Sequence, residues 1–517
     1  MKKLTLLLCF VSFLTKAQNI TVASGKSFTI EKTGSVTMSG NFSNSGAFTL
    51  NSDSDEFSSI IIGGSVSGNI TYNRYVNPVG SNEWDLIGSP VDGLSISAFA
   101  LTNSSTLATN GSAYAIGEYN NVTDTWTNYT TSTIGSSGNF DIGKGYQIGS
   151  IGSGSGILVF TGSPASTNQT QSIINNDAAN SGTGRRWNLV ANPFPSYIQG
   201  NANAHATNNF LTVNSDKLDD SYEAIYGYDA DGTGYTIYNN IGTLLLAPGQ
   251  AFMVASDNTN SDNISFTTQM RTVVGGDDLI LGRIMQDSYE LILSINQGDT
   301  EIDQTKFYFQ DGLNLGLDPG YDAGHFNQQA ALTSRLVEED EGVGFAINAM
   351  GLESINDVVI PLVINRESAD GFRISIHTNG IYEGTNVYLE DNQQGTMTLL
   401  NEQDFELTPE INLSEVGRFY LHLTQTTFST EDDIQTNHLN AYKLDSSNFI
   451  TVEGLAFQTN QTNLRVYDIL GQEVLHKTLA NNNNRETVST EGFATGVYVI
   501  KLESGNVIVT KKIVIKK

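Results

Sequence analysis

The segment Trp84-Asp85-Leu86-Ile87-Gly88-Ser89-Pro90 recurs 103 residues later as Trp187-Asn188-Leu189-Val190-Ala191-Asn192-Pro193. Three further pairs follow in the same order. Ala115–Tyr119 matches Ala224–Tyr228, Trp126–Tyr129 matches Tyr235–Tyr238, and Gly143–Ile148 is set against Ala247–Phe252. Phe160 then pairs with Phe266, and all offsets stay between 103 and 109 residues. Anchors kept in order over such a distance imply two copies of one supersecondary unit. In each copy Trp-x-Leu-x-x-x-Pro reads as a buried strand leaving through a turn, because proline has no N–H to donate to a ladder. The sequence therefore predicts two related β units, at 77–170 and 171–275. Trp84 and Trp187 are expected as core anchors, although exposed Trp and Tyr rings would suit stacking on sugar faces.

The flanks are also β. Residues 18–76 carry strand-like triplets (Ile20–Val22, Phe28–Ile30, Val36–Met38, Phe48–Leu50, Ile60–Ile62) spaced by Gly, Ser and Asn. Such spacing fits a few rungs of a parallel β-solenoid, with a small antiparallel meander as the alternative. Residues 276–426 hold longer runs of alternating apolar character, including Tyr289–Ile295, Val358–Ile364 and Arg418–Leu423, and are read as one β-sandwich. The polar stretch 427–438 reads as a linker and 439–517 as a further small sandwich. With 50 Gly and 9 Pro among 517 residues, the fold class is all-β and multidomain, many short strands joined by tight turns.

Residues 1–17 have the pattern of a secretory signal peptide: Lys2-Lys3, an apolar run from Leu4 to Leu14, then Thr15-Lys16-Ala17. That run is too short to span a bilayer, and no later stretch is long and apolar enough. Cys9, the single cysteine, lies inside this leader, so the exported chain is expected without a disulfide. Removing three lysines with the leader leaves 23 basic against 55 acidic residues, a net charge of −32. Such a surface repels nucleic acid and anionic lipid, and leaves cations or neutral ligands as candidates.

A search for chemistry returns little. The histidines at 205, 325, 377, 422, 438 and 476 have no paired spacing, so no zinc site is expected. There is no Gly-x-Ser-x-Gly elbow and no P-loop. Asp229-Ala230-Asp231-Gly232 resembles the start of a calcium loop, but Asn240 stands where an EF-hand needs a bidentate Glu, and a hairpin turn is expected instead. Asp53-Ser54-Asp55-Glu56 reads as a solvated loop or a loose calcium site. No catalytic residue, metal ligand or cofactor is assigned. Carboxylates are abundant, but none is singled out as a pair.

The tail carries the sharpest signal. Val466-Tyr467-Asp468-x-x-Gly471-x-x-Val474 reads as strand, turn, strand; Gly496-Val497-Tyr498-Val499 opens another strand; and a last strand carries Lys511, Lys512 and Lys516. These three motifs, in this order, resemble the type A C-terminal sorting domain of cargo proteins of the Bacteroidetes type IX secretion system. The resemblance covers about the last 80 residues. It implies an immunoglobulin-like sandwich read by the outer-membrane translocon, a sortase as second partner, and delivery through the periplasm to the cell surface or the medium. The lysines from 511 onward are expected to stay exposed for the translocon, and the tail to pack little on the acidic body. The combined reading is a non-enzymatic, adhesin-like binding protein whose ligand is a glycan or another surface; the alternative is a secreted hydrolase using a carboxylate pair.

Overall fold

The computed structural model describes residues 18–79, 84–176, 186–229, 234–276, 289–379, 384–424, 439–443, 448–455, 458, 460–469, 471–480, 485–505 and 507–515. The leader and the linker 427–438 lie outside these residues. The chain forms two compact units, Met1–Met285 and Gln286–Lys517.

The first unit begins as a coil of parallel strands. Ile20–Val22 pairs in parallel with Phe42–Asn44, and that strand with Val66–Ser67. Ser27–Ile30 pairs with Ala47–Asn51 and then Ile70–Tyr75, and Ser35–Met38 pairs with Ser59–Ile62. Each strand returns to its own ladder one coil later, which parallel pairing requires and a meander forbids. Alternate residues point inward: Phe42 and Phe48 are buried with ring centroids 5.1 Å apart, edge to face. Coils also approach closely at the corners. A Cβ on Gly40 would sit 1.4 Å from the Gln18 carbonyl oxygen, so only glycine fits there.

The two copies of the duplicated unit follow, and they share strand order. In the first, Asp85–Ile87, Tyr146–Ile148, Ala113–Asn120 and Thr125–Thr130 pair in that order; in the second, Trp187–Ala191, Ala251–Ala255, Ile225–Asp229 and Gly234–Tyr238 do. Register agrees as well. Asp85 lies opposite Ile148 and Asn188 opposite Val254; Tyr119 faces Trp126 and Tyr228 faces Tyr235. One sequence anchor is corrected. Tyr146 faces Ile87 and Phe252 faces Val190, so Gly143–Gly145 corresponds to Gly249–Ala251, two residues later than the sequence match suggests. Each copy also holds a short helix, Ile96–Thr102 capped by Ser95 and Phe210–Asn214 capped by Asn209. The Asn103 side chain donates to the carbonyls of Phe99 and Val159 and accepts from Val159 N–H; Asn214 does the same with Phe210 and Ser265. Each copy closes on an outer strand pair, Ile157–Gly162 with Ile70–Tyr75 and Asp262–Phe266 with Gln169–Ile173. The last solenoid strand therefore doubles as the first strand of the first copy.

The copies meet across a pseudo-two-fold. Ala191 N–H donates to Gly143 O at 2.8 Å, and the equivalent Gly88 N–H donates to Gly249 O at 2.7 Å. Lys144 bridges Val190 as Gln250 bridges Ile87. An interface in which each copy offers the other the same patch is isologous. Small residues make the approach possible: a Cβ on Gly88 would lie 2.3 Å from the Cβ of Ala191. Trp187 is buried against Tyr226 (4.5 Å) and Tyr222 (5.6 Å), while its equivalent Trp84 is only half-buried at the rim of the core.

In the second unit, the two layers of the expected sandwich belong to one continuous sheet of eleven strands, nearly closed into a barrel. Phe405 near one end of the strand order and Phe419 near the other have ring centroids 6.0 Å apart, so both ends close on one core. The tail adds a sandwich of three strands (Asn440–Tyr442, Phe449–Glu453, Arg485–Ser489) against four (Thr462–Asp468, Glu473–Leu479, Gly496–Ser504, Val507–Ile515). Its core is built from Ile450, Val452, Leu464, Val466, Ile500 and Ile513.

Candidate functional site

Two places carry the residues to which function can be tied: a cleft between the duplicated units, and the tail.

The cleft has a volume of about 490 Å3. One wall comes from the first copy, with Glu118, Tyr119, Asn120, Thr127 and Lys144; the other comes from the second, with Gln171, Ser172 and Asn188. Strand geometry puts them there, because the hairpin Ala113–Thr130 projects past the point where Lys144 and Val190 join the copies. Glu118 is held on both oxygens, by the Tyr129 hydroxyl and by Lys144 Nζ at 3.1 Å. Tyr119 packs at 5.3 Å against Trp126 with the rings tilted by 52°, and donates its hydroxyl to Asp124. Burial pushes the Tyr119 phenol far above its ordinary range, so it stays a neutral donor. Asn188 accepts from Ile174 N–H and donates to Ile174 O and Arg186 O, which fixes the far wall. None of these residues was singled out by motif as a site, because no spacing signal joins Glu118 to Asn188 across the copies.

A second, more open cavity of about 660 Å3 in the other unit is edged by Asp299, Arg373 and Glu406. Both carboxylates are exposed to solvent, without the burial that prepares a general acid. Among the described residues no group of three or more His, Cys, Asp or Glu side chains is gathered to hold a metal ion. Asp53 and Glu56 instead face Lys32. Asp231 lies outside the described residues, and of Asp229 only the backbone strand is described.

In the tail the motif residues build the fold. Asp468 and Gly471 close the first turn: Asp468 Oδ1 accepts from Gln472 N–H at 2.9 Å, Asp468 O accepts from Gly471 N–H at 3.0 Å, and Gly471 has φ +78°. Val466 is buried, whereas Tyr467 points to the other face and is half-buried, not interior as its motif partner is. Tyr498 is buried, stacks edge-on with Phe493 at 5.3 Å, and donates to Ala494 O. Gly496 opens its strand opposite Ile515. Lys512 is exposed, and Lys516 lies outside the described residues.

Lys511 departs from the expectation. Alternation places it on the inward face with Val509, Ile513 and Ile515, and its ammonium is paired with Glu390 of the eleven-stranded sheet. Glu390 also meets His422 Nε2 at 2.8 Å. Burial lowers Lys511 to about 8 and His422 to about 4. The Asn440 side chain bonds Asn392 O across the same junction. The tail therefore packs on the adjoining body instead of hanging free of it, and Lys511 is covered. The residue's parity was legible; its partner, 121 positions earlier, was not.

Geometry and fold together define an all-β, multidomain protein that ends in a small β-sandwich. Residues 446–516 match the secretion system C-terminal sorting domain, so the chain is type IX secretion cargo, a class that implies Bacteroidetes and delivery to the cell surface or beyond. The chain belongs to the family described as a domain of unknown function (DUF8693), which covers residues 10–423. No curated protein matches it. Among solved structures, the BSP domain of a biofilm-associated protein aligns over 87% of this chain and 96% of its own length, at 8% identity and a TM-score of 0.16, a likeness too slight to argue from. Among the described residues no helix is long and apolar enough to cross a membrane.

Proposed function

We propose that the chain is a non-enzymatic, adhesin-like binding protein, carried out by the type IX translocon through residues 439–517 and presented or released outside the cell. The sorting domain carries the export half of this reading. It also sets the setting of the other half: a chain sent to the outer face meets polysaccharide and other surfaces there. The cleft between the copies supports binding over hydrolysis. Glycoside hydrolysis takes two carboxyl groups flanking the bond, and the one carboxylate lining this cleft among the described residues, Glu118, has both oxygens engaged. The linker 427–438, read as the processing site, and the domain limits 77–170, 171–275 and 276–426 belong to the same proposal.

The test compares wild-type and deletion strains for attachment to beads of neutral polysaccharide, and incubates the purified mature protein with the same polysaccharides. Loss of attachment on deletion, with no new reducing ends released, is the expected result. Release of reducing ends would replace binding with hydrolysis.

A further inference from the structure

The pseudo-two-fold between the copies predicts two equivalent clefts, one on each side of the axis. They differ at several positions, most sharply at one. In the open cleft the second copy's strand Gln169–Ile173 presents Gln171, which lies opposite Ile264. The equivalent residue in the first copy, opposite Leu158, is Arg74. Arg74 is 1% exposed; its Nε donates to Pro248 O at 2.9 Å, and its guanidinium lies 4.1 Å over the Phe57 ring. The equivalent position in the first copy is thus taken by a buried arginine clamped against the solenoid, while the open cleft keeps a shorter, neutral side chain there and about 490 Å3 of space.

We propose that the open cleft is a binding site for a neutral saccharide, a deepening of the adhesin-like reading on which it rests. The chemistry follows from the walls. Lys144 is engaged by Glu118 at 3.1 Å and by Asp141 at 3.7 Å, so the site holds no unengaged cation, among the described residues, to invite an anion. Thr127, Asn120, Gln171 and Ser172 are uncharged and supply hydroxyl and amide groups, the partners a polyol needs. Tyr119 adds an aromatic ring fixed by Trp126. The volume is within the range of small-ligand sites, about 300–1,000 Å3. A formal charge of −32 on the exported chain disfavours sialylated or sulfated glycans.

The experiment places the mature protein on an array of neutral oligosaccharides with sialylated and sulfated counterparts, and follows hits by calorimetry. Two variants plug the cleft from opposite walls as Arg74 plugs its counterpart: Gln171→Arg and Thr127→Arg. Thr127 is exposed and Gln171 half-buried, so both arginines fit without repacking the core; Thr131→Arg, exposed elsewhere on the same copy, controls for charge. Neutral hits weakened at least tenfold by both plugs but not by the control are expected. Hits that survive both plugs would overturn the site while leaving the binding reading intact. Preference for the charged glycans would overturn the ligand class. A silent array would overturn the saccharide reading, whereas its parent falls only if deletion also leaves attachment unchanged.

Discussion

Replacing Asn214 by alanine tests the duplication where its mechanics are most exposed. The Asn214 side chain is fully buried and makes three hydrogen bonds: to Phe210 O (2.8 Å), to Ser265 O (3.0 Å) and from Ser265 N–H (2.7 Å). Both carbonyls keep a second lone pair, so their loss is mild. The Ser265 N–H is different, because that strand is paired on its other edge only, with Gln169–Ile173. A buried donor left unpaired costs about 1–3 kcal/mol. With the lost packing, N214A should cost roughly 2–4 kcal/mol in all. For a unit of this size that lowers the midpoint by roughly 2–4 °C per kcal/mol. The assay is calorimetry and urea unfolding of the mature protein. Asn103 has the same three bonds in the first copy, so N103A should match N214A to within about 1 kcal/mol, and the double variant should be additive, as the two share no partner. A cost below about 1 kcal/mol in either, or a strong mismatch between them, would refute the view that the copies run on one mechanical plan.

The remaining predictions concern the junction around Glu390. His422 sits 2.8 Å from Glu390 with its pKa lowered by burial to about 4; because the folded value lies below the unfolded one, stability falls as pH drops through about 6.5 and levels off below about 4. An NMR titration should show the His422 ring neutral from pH 7 to 5, and an inflection near 6.5 would contradict this. Glu390→Gln removes the acid partner of Lys511, so acylation of Lys511 by an amine-reactive reagent, read by mass spectrometry, should rise roughly tenfold, as expected when a pair worth about 1.4 kcal/mol is lost. Labelling unchanged from wild type would mean that the tail is not held there.

How much of this was legible depends on whether the signal is local. Alternation and turn residues are local, so the all-β class, the short strands of 18–76 and the Asp468–Gly471 turn could be read directly, whereas the choice of parallel rungs over a meander depends on which strands pair. The repeat was legible because large anchors such as Trp187 and Phe266 resist drift in a packed core; it slipped by two residues at Gly143, where glycines and small residues leave nothing to align. Trp84 shows the limit of the inference by copy. It holds the position of Trp187 but lies half-buried, because burial depends on what each copy packs against, which its own sequence does not state.

The cleft belongs to the same class of non-local facts, and explains why a search by motif found no site. A motif records neighbours in sequence, whereas Thr127 and Gln171 face each other only because two copies meet about a pseudo-axis. Duplication gives two of everything, and once one cleft is closed by a buried residue the other is released from holding the fold together. On the proposed reading Arg74 does that closing, 97 residues before the Gln171 that occupies the equivalent place. The informative comparison in a repeat protein is therefore between equivalent positions whose chemistry differs most. Here they are a clamped arginine and an open glutamine, with Glu118 and Lys144 on the opposite wall standing where the second copy has Gly227 and Gln250. Had function rested on what the copies share, it would lie in anchors such as Asn103 and Asn214, which are buried and bonded within the fold. The binding proposed for the cleft rests instead on what they do not share.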